Sequence, residues 1–469
     1  MGPEEVAVLA DEFDIVVLGG GPAGYATALY GAAAGLNIAL VEEGRVGGTC
    51  LHRGCIPAKE LLQTAEVLRT VRDASEFGID TGGKAVLDLG RAQVRKQDVV
   101  DRLTKGLETL LKGRKVTVVQ GRGEVADGPG HRVRTADGTE VAGRNLVVAT
   151  GSAPRALPGL EFDGTRILSS DHVLALTELP PRVAIIGGGV IGAEFASMLI
   201  DMGSEVTVLE ALPRILATTD VEVGRVVARS FKKRGVNVQE GVRITGIDGA
   251  RELTVSWENG SGSQSVVVDK VIVSIGRAPL SRDIGLEAAG VTIDDRGFVV
   301  VNEQLETNVP GVFAVGDVID APQLAHVGFA EGISVVRTVL DEQPTPIDYD
   351  KVPWVIYCRP EVASCGLTEE QAREQGHDVV VAKHRFAGDG RAMIIGETEG
   401  LVKLVTDADG LVLGVHIAGP WATELLAEGY LSVNWEANAS DLAALVHPHP
   451  TLSEVFGEAA MTRMGRPLH

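Results

Sequence analysis

Cysteine and aromatic side chains are scarce in this chain, and basic residues fall well short of acidic ones. Its 469 residues include 4 Cys, 4% aromatics, and 43 Lys and Arg against 64 Asp and Glu, a formal net charge of -21. Four cysteines exclude the disulfide framework of a small secreted protein. The deficit of Lys and Arg argues against a nucleic-acid partner, because phosphate backbones are bound by those side chains. An acidic surface suits solubility or docking to a basic protein partner. Residues 1–14 are acidic and lack a basic stretch ahead of an apolar one, so no secretory signal is expected. The longest apolar run, residues 183–200, is interrupted by Glu194 and by four glycines, which excludes a membrane span. The cytoplasm is the expected location, and in a reducing compartment a cysteine pair suits catalysis better than bracing.

What is abundant is glycine, at 58 residues, within a 45% hydrophobic composition. That balance fits layered α/β architecture, and the length fits about two to four domains. Residues 13–18 read as a buried parallel strand. They run into Gly19-Gly20-Gly21-Pro22-Ala23-Gly24, then a helix over 25–34 and a second strand over 37–41 that closes on Glu42. Strand, G-x-G-x-x-G, helix, strand and acid make a dinucleotide-binding unit. The glycines let a pyrophosphate approach the helix N-terminus, and the acid accepts hydrogen bonds from a ribose. Residues 182–186 open a second copy. Gly187-Gly188-Gly189-Val190-Ile191-Gly192 is followed by a helix over 193–202 and a strand over 205–209 ending on Glu210. Glu210 stands at the same interval from Gly192 as Glu42 does from Gly24. Two such units predict two dinucleotides. Glu210 favours a free 2′-hydroxyl, hence NAD over NADP, with Arg214 close enough to soften that choice.

Between the copies lies Gly47-Gly48-Thr49-Cys50-Leu51-His52-Arg53-Gly54-Cys55-Ile56-Pro57-Ala58-Lys59. In a regular helix Cys50 and Cys55 would stand roughly 7.5 Å apart at the Cα atoms, beyond the roughly 4.4–6.8 Å of a disulfide. A bridge needs a distorted first turn, for which Gly54 is suited. On these residues alone the pair is either a redox-active disulfide at a helix start or two inert thiols in a glycine-rich loop. Helices are expected over 60–72, 92–112 and 321–342, and strands over 115–120, 132–134, 145–149, 270–275 and 311–316, the last ending on Asp317. Residues 344–353 read as a linker. From about 349 the pattern becomes α+β, with strands over 362–365, 394–398, 401–406 and 411–417, a turn at 407–410, and helices over 421–436 and 453–463. Cys358 and Cys365 read as buried structural thiols. His447-Pro448-His449-Pro450-Thr451-Leu452-Ser453-Glu454 holds His449 stiffly between prolines. It is either a general base oriented by Glu454 or a solvated turn. A metal site is the weaker alternative, and none is expected.

Together these stretches resemble the flavoprotein pyridine nucleotide-disulfide oxidoreductases, most closely the dihydrolipoamide dehydrogenase family, over nearly the whole chain. The resemblance rests on Gly19, Gly21, Gly24 and Glu42; on residues 47–59, with Ala58 where a hydroxyl residue is usual; and on residues 149–154. It rests also on Gly187–Glu194 with Glu210; on residues 276–279, with Leu280 in place of the usual Asn; on residues 312–317; and on residues 447–454. It implies two Rossmann-like domains plus an α+β dimerisation domain. The expected boundaries are 1–149 (FAD and redox disulfide), 150–277 (NAD), 278–348 (central, completing the FAD site) and 349–469 (interface).

The implied activity is oxidation of protein-bound dihydrolipoamide through a Cys50–Cys55 disulfide and FAD, with reduction of NAD. The implied partners are a second copy and the lipoyl-bearing acyltransferase subunit of a 2-oxo acid dehydrogenase complex. Cys50 would meet substrate and Cys55 the flavin, with Lys59 and Glu194 an ion pair beside it. His449 polarised by Glu454 would be the base, serving the site of the other subunit. FAD would be held by Gly19, Gly21, Gly24, Glu42, Gly48, Thr49, Lys59, Gly123, Thr150, Gly151, Ser152, Asp317 and Ala325. NAD would be held by Gly187, Gly189, Ile191, Gly192, Glu194, Glu210 and Gly276. The competing expectations are a relative acting on another disulfide and a non-catalytic flavin-bound assembly protein.

Overall fold

The computed structural model describes residues 13–126 and 131–469, so the expected leader over 1–12 lies outside the described residues. The chain divides into two compact units. One comprises residues 1–60, 93–155 and 276–349, and the other residues 61–92, 156–275 and 350–469.

The first unit is built on strand Phe13–Leu18, whose Ile15, Val16 and Val17 are fully buried. A run apolar on both faces can only be central. Burying each such side chain contributes about 1.5–3 kcal/mol. Parallel neighbours lie on both sides, Ile38–Glu42 and Glu140–Val148. Thr117–Gln120 and Val312–Ala314 extend the parallel order outward. Helices Pro22–Ala33 and Ala325–Val339 pack together over this sheet. Residues 276–349 thus supply a strand and a helix to the first unit.

The second unit repeats the plan. Arg182–Ile186 is central, flanked by Glu205–Glu210 and Lys270–Val273, with Asn237–Glu240 and Ile167–Leu168 at the edges, all parallel. An antiparallel meander of Arg243–Asp248, Leu253–Asn259 and Gly262–Val268 covers it with Trp257. Residues 350–469 add an antiparallel five-stranded sheet, with helices Ala422–Asn434 and Glu454–Arg463 contributing Leu426, Val455 and Phe456 to its core. Lys403 ties this sheet to the parallel part. Its ammonium, almost fully buried, lies 2.8 Å from both Asp220 and Glu369.

One expectation changes. The stretch expected as a strand over 394–398 instead follows a short helix, Gly390–Ile394, because Asp389 caps Ala392 N–H at 2.8 Å and Gly396 ends the turn at φ +75°. The first turn is distorted at Gly54, as a close approach of the cysteines requires, and the helix divides there into Gly48–Arg53 and Cys55–Asp73. Residues 61–92 group with the second unit, where Arg69 pairs with Asp201 at 2.6 Å and Arg72 donates to the Asp201 carbonyl.

Candidate active site

The cysteines stand on either side of the Gly54 break. Cys50 is in the short helix and Cys55 opens the long one. A Cβ on Gly54 would meet Thr49 O at 3.0 Å and Cys50 Cα at 3.4 Å, so only glycine lets the two turns approach this closely. Both are half-buried, and their thiols are hydrogen-bonded to each other. The bond with Cys55 raises the Cys50 thiol first; burial and the neighbouring Cys55 charge add to it, and the Lys59 ammonium opposes them. The two sulfurs therefore do not ionise together. Tyr25 lies beside them. Burial, then the Cys50 and Cys55 charges, push its phenol up to about 12. Its ring sits 5.6 Å from that of Phe329. No motif singled out Tyr25, since it reads as an ordinary helix residue.

The first glycine crevice adjoins this helix. A Cβ built on Gly21 would come 3.9 Å from Gly48 Cα, and one on Gly48, at φ +57°, would collide with Gly21 at 2.6 Å. Glu42 accepts Gly20 N–H at 2.7 Å and Gly44 N–H at 2.7 Å. A dinucleotide fits this cradle. Glycine backbone lines it where Gly21 meets Gly48, and the carboxylate oxygens keep lone pairs for a ribose. Gly123 is packed instead among Leu18, Val133 and Val41, with no room for a Cβ, so it offers a cofactor only its backbone.

Asp317 follows strand Val312–Ala314 and sits in a network. Ser152 Oγ donates to it at 2.5 Å, Arg277 Nε donates to Ser152 Oγ at 2.7 Å, and the Arg277–Asp317 separation is 3.7 Å. Thr150 Oγ1 donates to Leu280 O at 2.6 Å, and Leu280 N–H to Gly151 O at 2.9 Å. Leu280 thus works through its main chain, which explains why the missing Asn leaves the pairing intact. Ala325 opens the helix Ala325–Val339.

The second crevice repeats these bonds. Glu210 accepts Gly188 N–H at 2.6 Å and Leu212 N–H at 2.7 Å, and is buried. A Cβ on Gly189 would meet nothing within 4 Å. Arg214 donates to Leu216 O at 2.9 Å and lies 3.9 Å from Glu370, so its charge is already engaged. Glu194 is buried in the helix Val190–Met202, behind Ile191 and Gly192, and accepts Tyr357 N–H at 2.9 Å. Gly276 begins the return to the first unit.

His449 is 78% exposed and its Nδ1 lies 2.9 Å from Glu454. Burial would raise the Glu454 carboxyl, but Thr451 N–H and His449 outweigh it and hold it below the ordinary carboxylate range. The Glu454 clamp leaves Nε2 for a substrate. His447 differs. It is largely buried and paired with Glu428 at 2.9 Å. The two histidines therefore serve separate carboxylates, and no group among the described residues could hold a metal ion. Cys358 and Cys365 are buried, donating to Pro360 O and Lys351 O. Among the described residues no helix is long and apolar enough to cross a membrane.

Known proteins match over both units. The family described as pyridine nucleotide-disulphide oxidoreductase matches residues 13–332, and its dimerisation domain matches residues 352–460. A dihydrolipoyl dehydrogenase of Bacillus subtilis is 41% identical, over 98% of this chain and 100% of its own. The mitochondrial dihydrolipoyl dehydrogenase of Pisum sativum is 39% identical over 98% and 93%. Among solved structures, LpdA from Mycobacterium tuberculosis superposes with a TM-score of 0.89 at 27% identity, covering 96% of this chain and 99% of that one. The HOCl-induced flavoprotein disulfide reductase RclA from Escherichia coli gives 0.84 at 28%, covering 96% and 99%.

Proposed function

The chain belongs to the pyridine nucleotide-disulphide oxidoreductase family, and from that premise we propose that it is a dihydrolipoyl dehydrogenase using FAD and NAD. The observation that carries the reading is the Cys50–Cys55 pair, held in mutual hydrogen-bond contact across the Gly54 break and beside the first glycine crevice.

Bound FAD supplies the two-electron relay between thiols and NAD. In the disulfide form, one thiolate of dihydrolipoamide attacks Cys50 Sγ and Cys55 leaves as the thiolate. The second substrate thiolate then displaces Cys50, releasing lipoamide and leaving both cysteines reduced. The substrate dithiol is oxidised by two electrons and the protein disulfide reduced by two. Lys59 favours the anionic sulfurs. His449 Nε2 takes the substrate proton, and Glu454 at Nδ1 steadies the imidazolium. The exposure of His449 suits service to the site of the second subunit of a homodimer. Glu42, Ser152 and Asp317 would hold FAD in the first crevice, and Glu210 would select a 2′-hydroxyl on NAD in the second. Lys59 would stand beside the flavin in the first unit.

The acidic surface would dock on a basic patch of a lipoyl-bearing acyltransferase, in the cytoplasm. Mixing the purified protein with dihydrolipoamide and NAD should generate NADH. Bound flavin without turnover would overturn this reading.

A further inference from the structure

Within the second unit, the helix Val221–Lys233 packs against the antiparallel sheet. Glu222, Val226, Arg229 and Lys233 recur along it at three- and four-residue steps, so they share one face. The sheet side answers the ends of this face with opposite charges. At the start of the helix, Lys383 meets Glu222 at 2.8 Å and Lys403 meets Asp220 at 2.8 Å. At its end, Lys233 lies 3.6 Å from Glu399. The middle breaks the pattern. There Arg229 and Arg385 line one cavity of about 200 Å³, like charge with like. Strand Val380–Arg385 places Arg385 on the same face as Lys383, in register with Leu401. Val226 and Leu401 are the buried, apolar part of the lining, and Thr398 and Glu399 belong to its polar part. Among the described residues neither guanidinium has a hydrogen bond or ion pair, and neither has the Thr398 hydroxyl. Glu399, the one acid in the lining, is engaged by Lys233.

We propose that this cavity is a binding site for a small dianion of the phosphate type, held between Arg229 and Arg385. In a protein with a formal net charge of -21, carboxylates are plentiful, yet among the described residues none is paired with either arginine. Two guanidiniums on neighbouring elements repel, and a guest with two negative charges turns that repulsion into two attractions. Arginine presents its N–H donors as a planar fork that matches phosphate oxygens, and Thr398 Oγ1 adds a further donor. The volume falls short of the roughly 300–1,000 Å³ of pockets for drug-sized ligands, which suits phosphate or a short phosphate monoester. Compensation of the helix dipole accounts for a cation such as Lys233 at the helix end, but not for Arg385 on the strand beside it. None of the lining residues belongs to either glycine crevice. The bound anion would bridge helix and sheet, next to the pairs that Lys383 and Lys403 make with Glu222 and Asp220.

Inorganic phosphate is titrated into the purified holoenzyme, with ionic strength held constant by chloride, and followed by phosphorus NMR line broadening and by thermal unfolding. Binding should saturate with a dissociation constant of about 1 mM, on the scale of two or three charge-assisted hydrogen bonds. Arg229→Gln and Arg385→Gln should each weaken it about tenfold or more. Arg225→Gln removes the same charge from the same helix outside the cavity, and should leave binding unchanged. In chloride alone Arg229→Gln should unfold at or above the native temperature, because a like-charge repulsion is relieved; in phosphate it should unfold below it. Glycerol phosphate, a monoester, distinguishes the sources: tighter binding than phosphate assigns the site to a phosphorylated metabolite, weaker binding to free phosphate. Phosphate lodged in a glycine crevice would survive both cavity substitutions. That result, equal weakening by Arg225→Gln, or the absence of saturable binding would overturn the inference, and none of these readouts depends on the proposed activity.

Discussion

The two glycine crevices are built to one plan and finished differently. In each, a carboxylate at the end of the second strand accepts two backbone N–H groups: Glu42 from Gly20 and Gly44, Glu210 from Gly188 and Leu212. The next crossover is where they part. In the first unit residues 43–116 intervene before the following strand and carry the cysteine helix. In the second, residues 211–236 hold the helix Val221–Lys233. As a result Gly21 faces Gly48, whereas a Cβ on Gly189 would face open space. One dinucleotide fold serves two roles when its crossover is lengthened. The first crevice is walled by the cysteine helix, as suits a resident cofactor; the second stays open, as suits a cosubstrate that comes and goes.

Removing the redox element should have the largest effect. Cys50→Ser should cut dihydrolipoamide turnover by about 10³-fold or more while flavin absorbance persists, because the first crevice is untouched. Loss of flavin along with activity would show that the two are not separable. Next, His449→Gln should slow dithiol oxidation by roughly 10²-fold or more and spare NADH-to-dye transfer. Equal loss in both assays would make His449 structural. The carboxylates themselves should then differ. Glu210→Ala strands buried N–H groups, at about 1–3 kcal/mol for a group left unsatisfied, while water can replace Glu42 at Gly44. Denaturant unfolding should therefore show a larger loss for Glu210→Ala, and NAD affinity should fall only in that variant. Gly189→Ala should change stability by no more than about 0.5 kcal/mol, since its Cβ meets nothing, yet weaken NAD binding. Unchanged NAD affinity would mean the ligand does not enter that cradle. The smallest effect belongs to Leu280→Asn, within about 0.5 kcal/mol in unfolding, because Leu280 is held through its backbone.

Much of this was legible in the residues. Phe13–Leu18 and Arg182–Ile186 read correctly because strands buried on both faces leave an unbroken apolar run. The glycine spacings read because the close approach of a helix start to a strand end tolerates no side chain. Short exposed elements were harder. Residues 394–398 open with two apolar residues like a strand, but the Asp389 cap winds the chain up to Ile394 into a helix instead. Val380–Arg385 alternates too weakly to stand out, and pairs only because Leu401–Thr406 offers it an edge. Tyr25 and Arg385 carry no local signal: one becomes notable through two thiols packed beside it, the other through a helix distant in sequence.

The sequence by itself determined two dinucleotide units, a cysteine pair between them and a histidine–glutamate pair near the end, because each is a local pattern whose geometry follows from spacing. Only the tertiary structure decided that His447 pairs with Glu428, that Leu280 acts through its main chain, and that residues 61–92 fold with the second unit. Those are contacts between segments far apart in the chain, and burial, which fixes them, is not written in any one segment.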